Sequence, residues 1–200
     1  MTFQLSAAQK AQLCQLELSD FQFSEVHFEK INAFSAHIIE MNEKMNLIGK
    51  GTLSDFFAVH ILDSFLPLQF FRPAACHFDL GSGGGIPAIF WAMVFPESRI
   101  FCIESIGKKA HWLETAANQL DLANIRVLAV RLEELVGGEY SFGSGASRAV
   151  RLTPKILKAI ANILADDARY LYFSGHDQEW QASQKKIIEN TPKGVLVLPE

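Results

Sequence analysis

The chain has 200 residues, of which 49% are hydrophobic, and this suits one domain or one domain with a helical extension. Its formal net charge of −4 argues against a basic nucleic-acid-binding tail or a cationic membrane protein, so a nucleic-acid ligand would need a local basic patch. Three cysteines are too few for a disulfide framework and lack metal-ligand spacing, so a reducing cytosol and no bound metal are expected. No leader opens the chain and no apolar run reaches about 18 residues, which predicts a soluble cytoplasmic protein without a membrane partner.

Helical patterns come first along the chain. Ser6 can cap a short amphipathic helix, and Gly49 can stop a longer helix whose apolar residues recur at helical spacing. Thr52 or Ser54 can cap a third. The predicted helices cover residues 6–18, 25–45 and 52–65. Residues 1–70 are therefore expected to form an N-terminal helical extension to a main domain over residues 71–200.

A glycine-rich turn follows the first predicted strand. Residues 76–80 are a short, mostly apolar run typical of a buried strand, four glycines occur within the next five positions, and residues 88–95 suit a packed helix. In an open α/β sheet such a turn lies at the carboxyl end of a strand, where ligands bind. The pattern begins as Gly81-x-Gly83 but has Ile86 where a dinucleotide site has its third glycine, and a Walker lysine is absent.

An acidic residue follows the second predicted strand. Residues 99–103 form that strand, and Glu104 comes directly after it, about 20 residues beyond the turn, where a carboxylate can accept hydrogen bonds from ribose hydroxyls. The alternatives are a helix N-cap or a solvated loop acid. The turn and Glu104 together predict a nucleoside-bearing ligand, and the Gly-Gly-Gly-Ile-Pro ending favours S-adenosyl-L-methionine over NAD.

The remaining patterns alternate between strands and helices. Further strands are predicted over residues 125–130, 143–149, 169–173 and 194–198, with helices over residues 108–121, 154–165 and 177–189. This alternation predicts a doubly wound α/β fold with a mostly parallel sheet.

Five segments, in this order, resemble a known family. They are Asn42-Glu43-Lys44-Met45-Asn46-Leu47, His60-Ile61-Leu62-Asp63-Ser64, Asp79-Leu80-Gly81-Ser82-Gly83-Gly84-Gly85-Ile86-Pro87, Glu104-Ser105-Ile106-Gly107-Lys108-Lys109 and Ser147-Arg148-Ala149. The family is that of the small-subunit ribosomal RNA guanine-N7 methyltransferases, also called glucose-inhibited division protein B. The resemblance covers residues 28–175 and implies a Rossmann-like methyltransferase that uses S-adenosyl-L-methionine. It implies small-subunit ribosomal RNA or the ribosomal subunit as the partner, and a monomer is expected.

The resemblance also implies which residues contact the cofactor. These are Asp79, Gly81, Gly83, Gly85, Ile86, Glu104, Leu132, Glu133 and Arg148. The Leu132 backbone and Glu133 would contact adenine, although Glu133 could instead be a surface acid. Arg148, at the carboxyl end of the fourth strand, could pair bidentately with the cofactor carboxylate or with an RNA phosphate.

Three cations are candidates for RNA binding. Lys108 and Lys109 begin a predicted helix, where positive charge opposes the helix dipole, so attraction to phosphate is one explanation. The alternative is that two exposed lysines have no role. Arg151, near the end of the fourth strand, is the third candidate.

The segment containing His60, Asp63 and Ser64 could suggest a hydrolase. A catalytic triad assembles residues from distant segments, and no nucleophile elbow occurs here, so that interpretation is set aside. One alternative is a helix face that hydrogen-bonds to the neighbouring domain. The other, which the resemblance favours, makes His60, Asp63 and Arg148 candidates for catalysis or for positioning the substrate.

Three departures from the family bear on the substrate. Glycine and serine occupy much of the fourth strand, Ser174 stands where the family usually has a lysine, and the usual arginine and tail at the end are not evident. Two alternatives therefore remain open. One is a methyltransferase of a small-molecule or protein substrate, and the other is a nucleoside-binding relative without turnover.

Overall fold

Six strands form one sheet in the computed structural model, which describes residues 3–18, 20–135 and 139–173 and the backbone of residues 195–198. The strands are β1 (Cys76–Leu80), β2 (Arg99–Ile103), β3 (Ile125–Leu128), β4 (Phe142–Arg148), β5 (Leu164–Phe173) and β6 (Val195–Leu198). Their order across the sheet is β3-β2-β1-β4-β5-β6. The first five are parallel, and β6 pairs antiparallel with β5. This is the order of a doubly wound sheet, and the predicted fold class is confirmed.

Among the described residues, three α-helices come before the first strand in the chain, and three lie between strands. They are α1 (Ala7–Cys14), α2 (Glu25–Met45), α3 (Asp63–Phe65), α4 (Ala88–Val94), α5 (Gly107–Gln119) and α6 (Pro154–Ile163). Short 3₁₀ turns cover Lys50–Asp55, Leu66–Gln69 and Leu132–Glu134, and Phe57–Leu62 is a π-helix. In the part of the chain described, no helix combines the length and apolar character needed to cross a bilayer.

The first two predicted helices form, with corrections at their carboxyl ends: α1 ends at Cys14 and does not reach residue 18. Ser6 accepts a hydrogen bond from the Gln9 N–H, and the Gln9 side chain accepts one from the Ser6 N–H, so α1 begins with a capping box. The second helix ends at Asn46, which has a left-handed conformation with φ 47°. Gly49, the predicted stop, lies farther on with φ −63°. Asparagine tolerates the left-handed region because its short amide can hydrogen-bond to nearby backbone.

The third predicted helix, over residues 52–65, is correct in ending at Phe65 but wrong in type over most of its length. The chain instead passes from a 3₁₀ turn into the π-helix and then into the single turn of α3. Thr52 does not cap a helix, because its hydroxyl donates to the Gly49 carbonyl oxygen at 2.7 Å and contacts His60 Nε2 at 2.6 Å. Local side-chain bonds of this kind compete with regular helix formation, and π-helical turns are frequent at functional sites.

Two apolar clusters cover the two faces of the sheet. In β2, Ile100 and Cys102 belong to the first cluster and Ile103 to the second, as the alternation of side chains along a strand requires. The first cluster also contains buried residues of α1, α2, α4, α5 and the π-helix, whereas α6 packs on the second. The N-terminal helices and the sheet therefore share one core.

The glycine and serine residues of β4 have packing explanations. A Cβ atom on Gly145 would lie 2.9 Å from Tyr170 and closer still to the ring of Phe78, so these two aromatic rings fill the space that a larger side chain would need. Ser144 Oγ accepts from the Ala74 N–H and bonds to His77 Nδ1, both at 2.8 Å. The predicted fourth strand is confirmed, and its unusual composition follows from its neighbours.

The predictions for the end of the chain have two outcomes. The last strand is confirmed over Val195–Leu198. Ser174 and the predicted helix over residues 177–189 lie outside the described residues.

Candidate functional site

A cavity lies where the strand order reverses. β2 lies on one side of β1 and β4 on the other, and open α/β sheets bind ligands at the carboxyl ends of strands at such a point. The cavity has a volume of about 560 Å³. It is lined by Asn46, Leu47, Ile48, Gly49, Lys50, His60, Gly81, Ser82, Gly83, Gly84, Ile86, Lys109, Arg148 and Ala149.

The glycines of the turn serve two different purposes. Gly83 has φ +51°, and a Cβ atom there would meet only the Gly81 carbonyl oxygen, at 3.6 Å, so this position leaves room for a ligand against the main chain. A Cβ atom on Gly84 would lie 2.9 Å from Ile38 of α2 and 3.1 Å from the Leu47 carbonyl oxygen. Glycine at position 84 therefore lets the N-terminal segment pack directly on the turn.

Gly85 and Gly81 also approach neighbouring side chains closely. A Cβ atom on Gly85 would lie 2.7 Å from Ile89, and on Gly81 2.6 Å from Val150. Both have positive φ. Gly81 lines the cavity, whereas the close neighbours of Gly85 belong to α4 and α5. Packing alone thus explains the glycine at position 85.

Glu104 connects the turn to the start of α5. Its Oε2 atom accepts from the Gly83 N–H at 2.9 Å, and its Oε1 atom accepts from the Ile106 N–H at 2.8 Å. The residue is only 6% exposed. Each carboxylate oxygen can accept a second hydrogen bond, so the group can fix the turn and still accept from a ligand hydroxyl.

Asp79, the last acidic residue of β1, is buried beside the turn. Burial raises the pKa of its carboxyl group to about 7, the Ser82 side chain and Arg148 act in the opposite direction, and Glu104 adds to the rise. Its Oδ2 atom has no hydrogen-bond partner among the described residues. A buried acceptor without a donor is uncommon, and a bound ligand is one source of the missing donor.

Arg148 joins the end of β4 to the N-terminal segment. Its Nη2 donates to the Val59 carbonyl oxygen at 2.6 Å, and its Nη1 lies 3.1 Å from Asp63 Oδ2, in a direction unsuited to a hydrogen bond. Burial lowers the pKa of the Arg148 guanidinium, against the opposing effects of Asp63 and Asp79. Burial likewise raises the pKa of Asp63, against the opposing effect of Arg148. Arg148 therefore lines the cavity while half of its guanidinium is already bonded.

His60 lines the same cavity, but its side chain does not bond to Ser64 or Asp63 as a catalytic triad would require. Its Nε2 pairs with Thr52, the Ser64 hydroxyl donates to the His60 carbonyl oxygen at 2.5 Å, and Asp63 faces Arg148. Burial, followed by the charge of Arg148, lowers the pKa of His60 to about 4, so the imidazole is neutral at pH 7. Ser64, His60 and Asp63 thus have separate partners.

The two predicted adenine contacts lie beyond β3. Leu132 is buried in the second apolar cluster. Glu133 lies at the surface, with Oε1 3.3 Å from Lys155 Nζ. A backbone hydrogen bond, followed by Lys155, lowers the pKa of Glu133. Five of the predicted cofactor contacts are not among the residues that line the cavity, and these are Asp79, Gly85, Glu104, Leu132 and Glu133.

The three candidate RNA-binding cations have different environments. Lys109 is half-buried and lines the cavity. Lys108, in the first turn of α5, and Arg151, just beyond β4, are exposed and lie outside the cavity lining.

The predicted site residues leave out eight of the described residues that line the cavity, which are Asn46, Leu47, Ile48, Gly49, Lys50, Ser82, Gly84 and Ala149. Asn46 and Ala149 both have left-handed backbone, with φ 47° and 56°, and such residues cluster at binding sites. Lys50 begins the 3₁₀ turn that was mistaken for part of a helix. Asn46 and Ala149 both stand in the family segments and could have been found there, but no sequence pattern marked Lys50.

Comparison with known proteins links this geometry to a family. The family model described as GidB, rRNA small subunit methyltransferase G, matches residues 27–196. The ribosomal RNA small subunit methyltransferase G of Dichelobacter nodosus is 31% identical over 170 residues, which are 85% of this chain and 80% of that protein. Its namesake from Solibacter usitatus is 34% identical over 147 residues, covering 74% of this chain and 70% of the relative.

A solved structure supports the fold independently. Coclaurine N-methyltransferase, bound to N-methylheliamine and SAH, superposes with a TM-score of 0.53 at 13% sequence identity, covering 82% of this chain and 55% of that one. Because the family model spans most of the chain, this chain belongs to the rRNA small subunit methyltransferase G (GidB) family.

Proposed function

We propose that this protein transfers the methyl group of S-adenosyl-L-methionine to N7 of a guanine in small-subunit ribosomal RNA. The observation that carries the proposal is the cavity at the point where the strand order reverses. The turn after β1 forms one wall, and the segment from Asn46 to His60 together with the end of β4 forms the other. Membership of the family supports the reaction and the substrate class.

The residues beside the cavity suit this cofactor. Gly83 leaves space against bare main chain, and Glu104 keeps acceptor capacity for ribose hydroxyls. The unpartnered Oδ2 of Asp79 offers a buried acceptor to a cationic donor, since the cofactor carries an ammonium group. Ile86 lines the cavity, and Gly81 and Gly85 shape the turn. Leu132 and Glu133 remain predicted adenine contacts.

The proposed chemistry requires few protein groups. When bound, the cofactor supplies a methyl group on a sulfonium, and transfer to guanine N7 leaves a neutral thioether and a cationic methylated base. Guanine N7 has a free lone pair in the ring plane, so no proton must be removed and no general base is needed. Alignment of the two reactants can contribute up to roughly 7–11 kcal/mol in ideal cases.

The second wall of the cavity suits a substrate-positioning role. His60 is neutral at pH 7 because burial depresses its pKa, so it adds no positive charge that would oppose a sulfonium. Arg148 lines the cavity, and its Nη1 is ion-paired with Asp63 but makes no hydrogen bond among the described residues, so it keeps a donor for the cofactor carboxylate or the nucleotide if the side chain shifts. His60, Asp63 and Arg148 are therefore assigned to positioning, since acid–base catalysis is not required.

The test compares ribosomal RNA from cells with and without the gene. We expect one N7-methylguanine in small-subunit RNA to disappear on deletion and to return on expression of the wild-type protein. A purified sample should transfer labelled methyl groups from the cofactor to small-subunit RNA or to subunits from the deletion strain.

Two other outcomes would redirect the assignment. Calorimetric binding of the cofactor without labelling of either RNA substrate would favour a small-molecule or protein substrate, or a nucleoside-binding protein without turnover. Failure of the purified protein to bind the cofactor at all would overturn the proposal.

A further inference from the structure

The cavity wall contains two lysines that no described carboxylate neutralises. Its charged lining residues are Lys50, Lys109 and Arg148, and none of its lining residues is acidic. Arg148 has Asp63 as an ion-pair partner. Over the described residues, neither lysine forms an ion pair. Because the whole chain has a net charge of −4, this is a local concentration of cations.

The two lysines come from different parts of the fold. Lys50 is exposed and begins the 3₁₀ turn that follows α2, and Lys109 is half-buried in the first turn of α5. A ligand that contacts both must therefore lie across the cavity between the N-terminal segment and the sheet. Lysine is a compact, flexible point charge with three donors, which suits phosphate oxygens presented in varied directions.

A neighbouring groove has the opposite charge preference. It has a volume of about 1110 Å³ and is lined by Glu40 and Glu43 as well as by Lys50. Two carboxylates repel phosphate groups, so a polyanion that reaches Lys50 is favoured on the side of the cavity and disfavoured in the groove.

We propose that Lys50 and Lys109 bind the backbone phosphates that flank the target guanine, so that the RNA strand crosses the mouth of the cavity. This inference rests on the proposed function and adds a binding site to it. The major groove of A-form RNA, where N7 lies, is too deep and narrow for side chains to enter, so the target base must be presented from an unpaired segment. The flanking phosphates of such a segment are accessible to the two lysines.

The carboxylate of the cofactor is a competing anion for the same lysines. The two possibilities differ in what a lysine substitution changes. Phosphate binding predicts loss of RNA affinity and of its salt dependence with cofactor affinity retained, whereas carboxylate binding predicts the reverse.

The experiment uses Lys50→Ala, Lys109→Ala and the double variant, with Lys158→Ala as the matched control. Lys158 is an exposed lysine of α6, which packs on the face of the sheet away from the N-terminal helices, so the control removes one charge outside the cavity lining. The probe is small-subunit ribosomal RNA purified from cells that lack the protein. Its Kd is measured from 0.1 to 1 M KCl, and cofactor Kd is measured by calorimetry.

The double variant should lower the slope of log Kd against log[KCl] by about 1.4, because each phosphate contact to a single strand contributes about 0.7. Binding at 0.1 M KCl, relative to 1 M, should therefore weaken by roughly 25-fold. Each single variant should give half of the slope change, and Lys158→Ala should give the wild-type slope. The cofactor Kd of every variant should match that of the wild type.

Three results would overturn this inference. They are a slope no different from that of Lys158→Ala, a loss of cofactor affinity without a change in slope, and a wild-type protein that does not bind the RNA. The proposed function is judged separately, by methyl transfer. A protein whose lysines set the salt slope but which methylates no RNA would retain the phosphate site and lose the assigned reaction.

Discussion

The two walls of the cavity are built from different materials. The wall that follows β1 is main chain, in which Gly83 and Gly84 are fixed by hydrogen bonding to Glu104 and by packing on α2. The opposite wall, residues 46–63, is irregular helix held by side chains, through the Thr52–His60 contact and the Asp63–Arg148 pair. The comparison shows that a main-chain wall tolerates little change, whereas a side-chain wall can be altered one contact at a time.

The largest expected effect tests the main-chain wall. Glu104→Ala should weaken cofactor binding by about 1.5–3 kcal/mol, the range for hydrogen bonds to a charged group, because it removes the predicted ribose acceptor and frees the Gly83 N–H. Calorimetry with the methyl donor measures this loss. Glu97→Ala, at a surface ion pair, is the control and should bind the cofactor as the wild type does. Equal affinities of the Glu104 variant and the wild type would remove Glu104 from the site.

The next effect tests the side-chain wall. Arg148→Met should lower the free energy of unfolding by about 2 kcal/mol, less than the loss from a fully buried pair because the Arg148 and Asp63 side chains are 21% and 36% exposed. Urea denaturation measures the change. Arg72→Met breaks exposed ion pairs and should cost at most about 1 kcal/mol.

A second substitution locates the Arg148 effect. Arg148→Met alone leaves the half-buried Asp63 carboxylate without its cation. Adding Asp63→Asn removes that unpaired charge and should restore part of the lost stability. If Arg148→Met were no more destabilising than Arg72→Met, the proposed role of Arg148 in holding this wall would be wrong.

Two adjacent glycines separate ligand space from packing space. Gly83→Ala adds a methyl group where only a carbonyl oxygen lies within 4 Å. The free energy of unfolding should fall by about 1 kcal/mol because alanine is strained in the left-handed conformation, and cofactor affinity should fall as well. Gly84→Ala places the methyl group against Ile38 and Leu47, so it should destabilise the fold by about 1–3 kcal/mol. Denaturation and calorimetry on both variants provide the comparison. If Gly84→Ala left the free energy of unfolding unchanged, the close packing of Gly84 on Ile38 and Leu47 would be contradicted.

The pH-dependent prediction concerns Asp79, the buried acid beside the turn. Burial raises the pKa of Asp79 from 3.8 to about 7, so between these values the unfolded chain loses its proton first and folding becomes less favourable as pH rises. Asp79→Asn should therefore raise Tm at pH 8 and change it little at pH 4, because the cost of ionising the buried carboxyl is present only at the higher pH. It should also weaken binding of the cationic methyl donor. A Tm difference that stayed constant with pH would mean that Asp79 does not titrate in this range.

The sequence predicted the main-chain wall well because local chemistry determines it. Alternating apolar strands, glycines in the turn and the acid at position 104 each leave a pattern within a few residues, and the order of strands and helices fixes the sheet. The predicted strand at residues 143–149 formed despite its glycines, since Phe78 and Tyr170 fill the space beside Gly145. That compensation comes from strands distant in sequence.

The side-chain wall could not be predicted in the same way. Residues 52–65 have the composition of an α-helix, but a contact between Thr52 and His60 and the reach of Arg148 to Val59 favour 3₁₀ and π-helical turns. These contacts depend on the tertiary fold. The cavity-lining role of Lys50 follows from that irregular path and has no local sequence signal.

The most direct test of the central claim is a crystal structure of the protein with S-adenosylhomocysteine, the product of methyl transfer. The account predicts the ligand in the cavity beside Gly83, with a ribose hydroxyl within hydrogen-bond distance of Glu104. A ligand bound elsewhere, or in the cavity with its ribose away from Glu104, would contradict it.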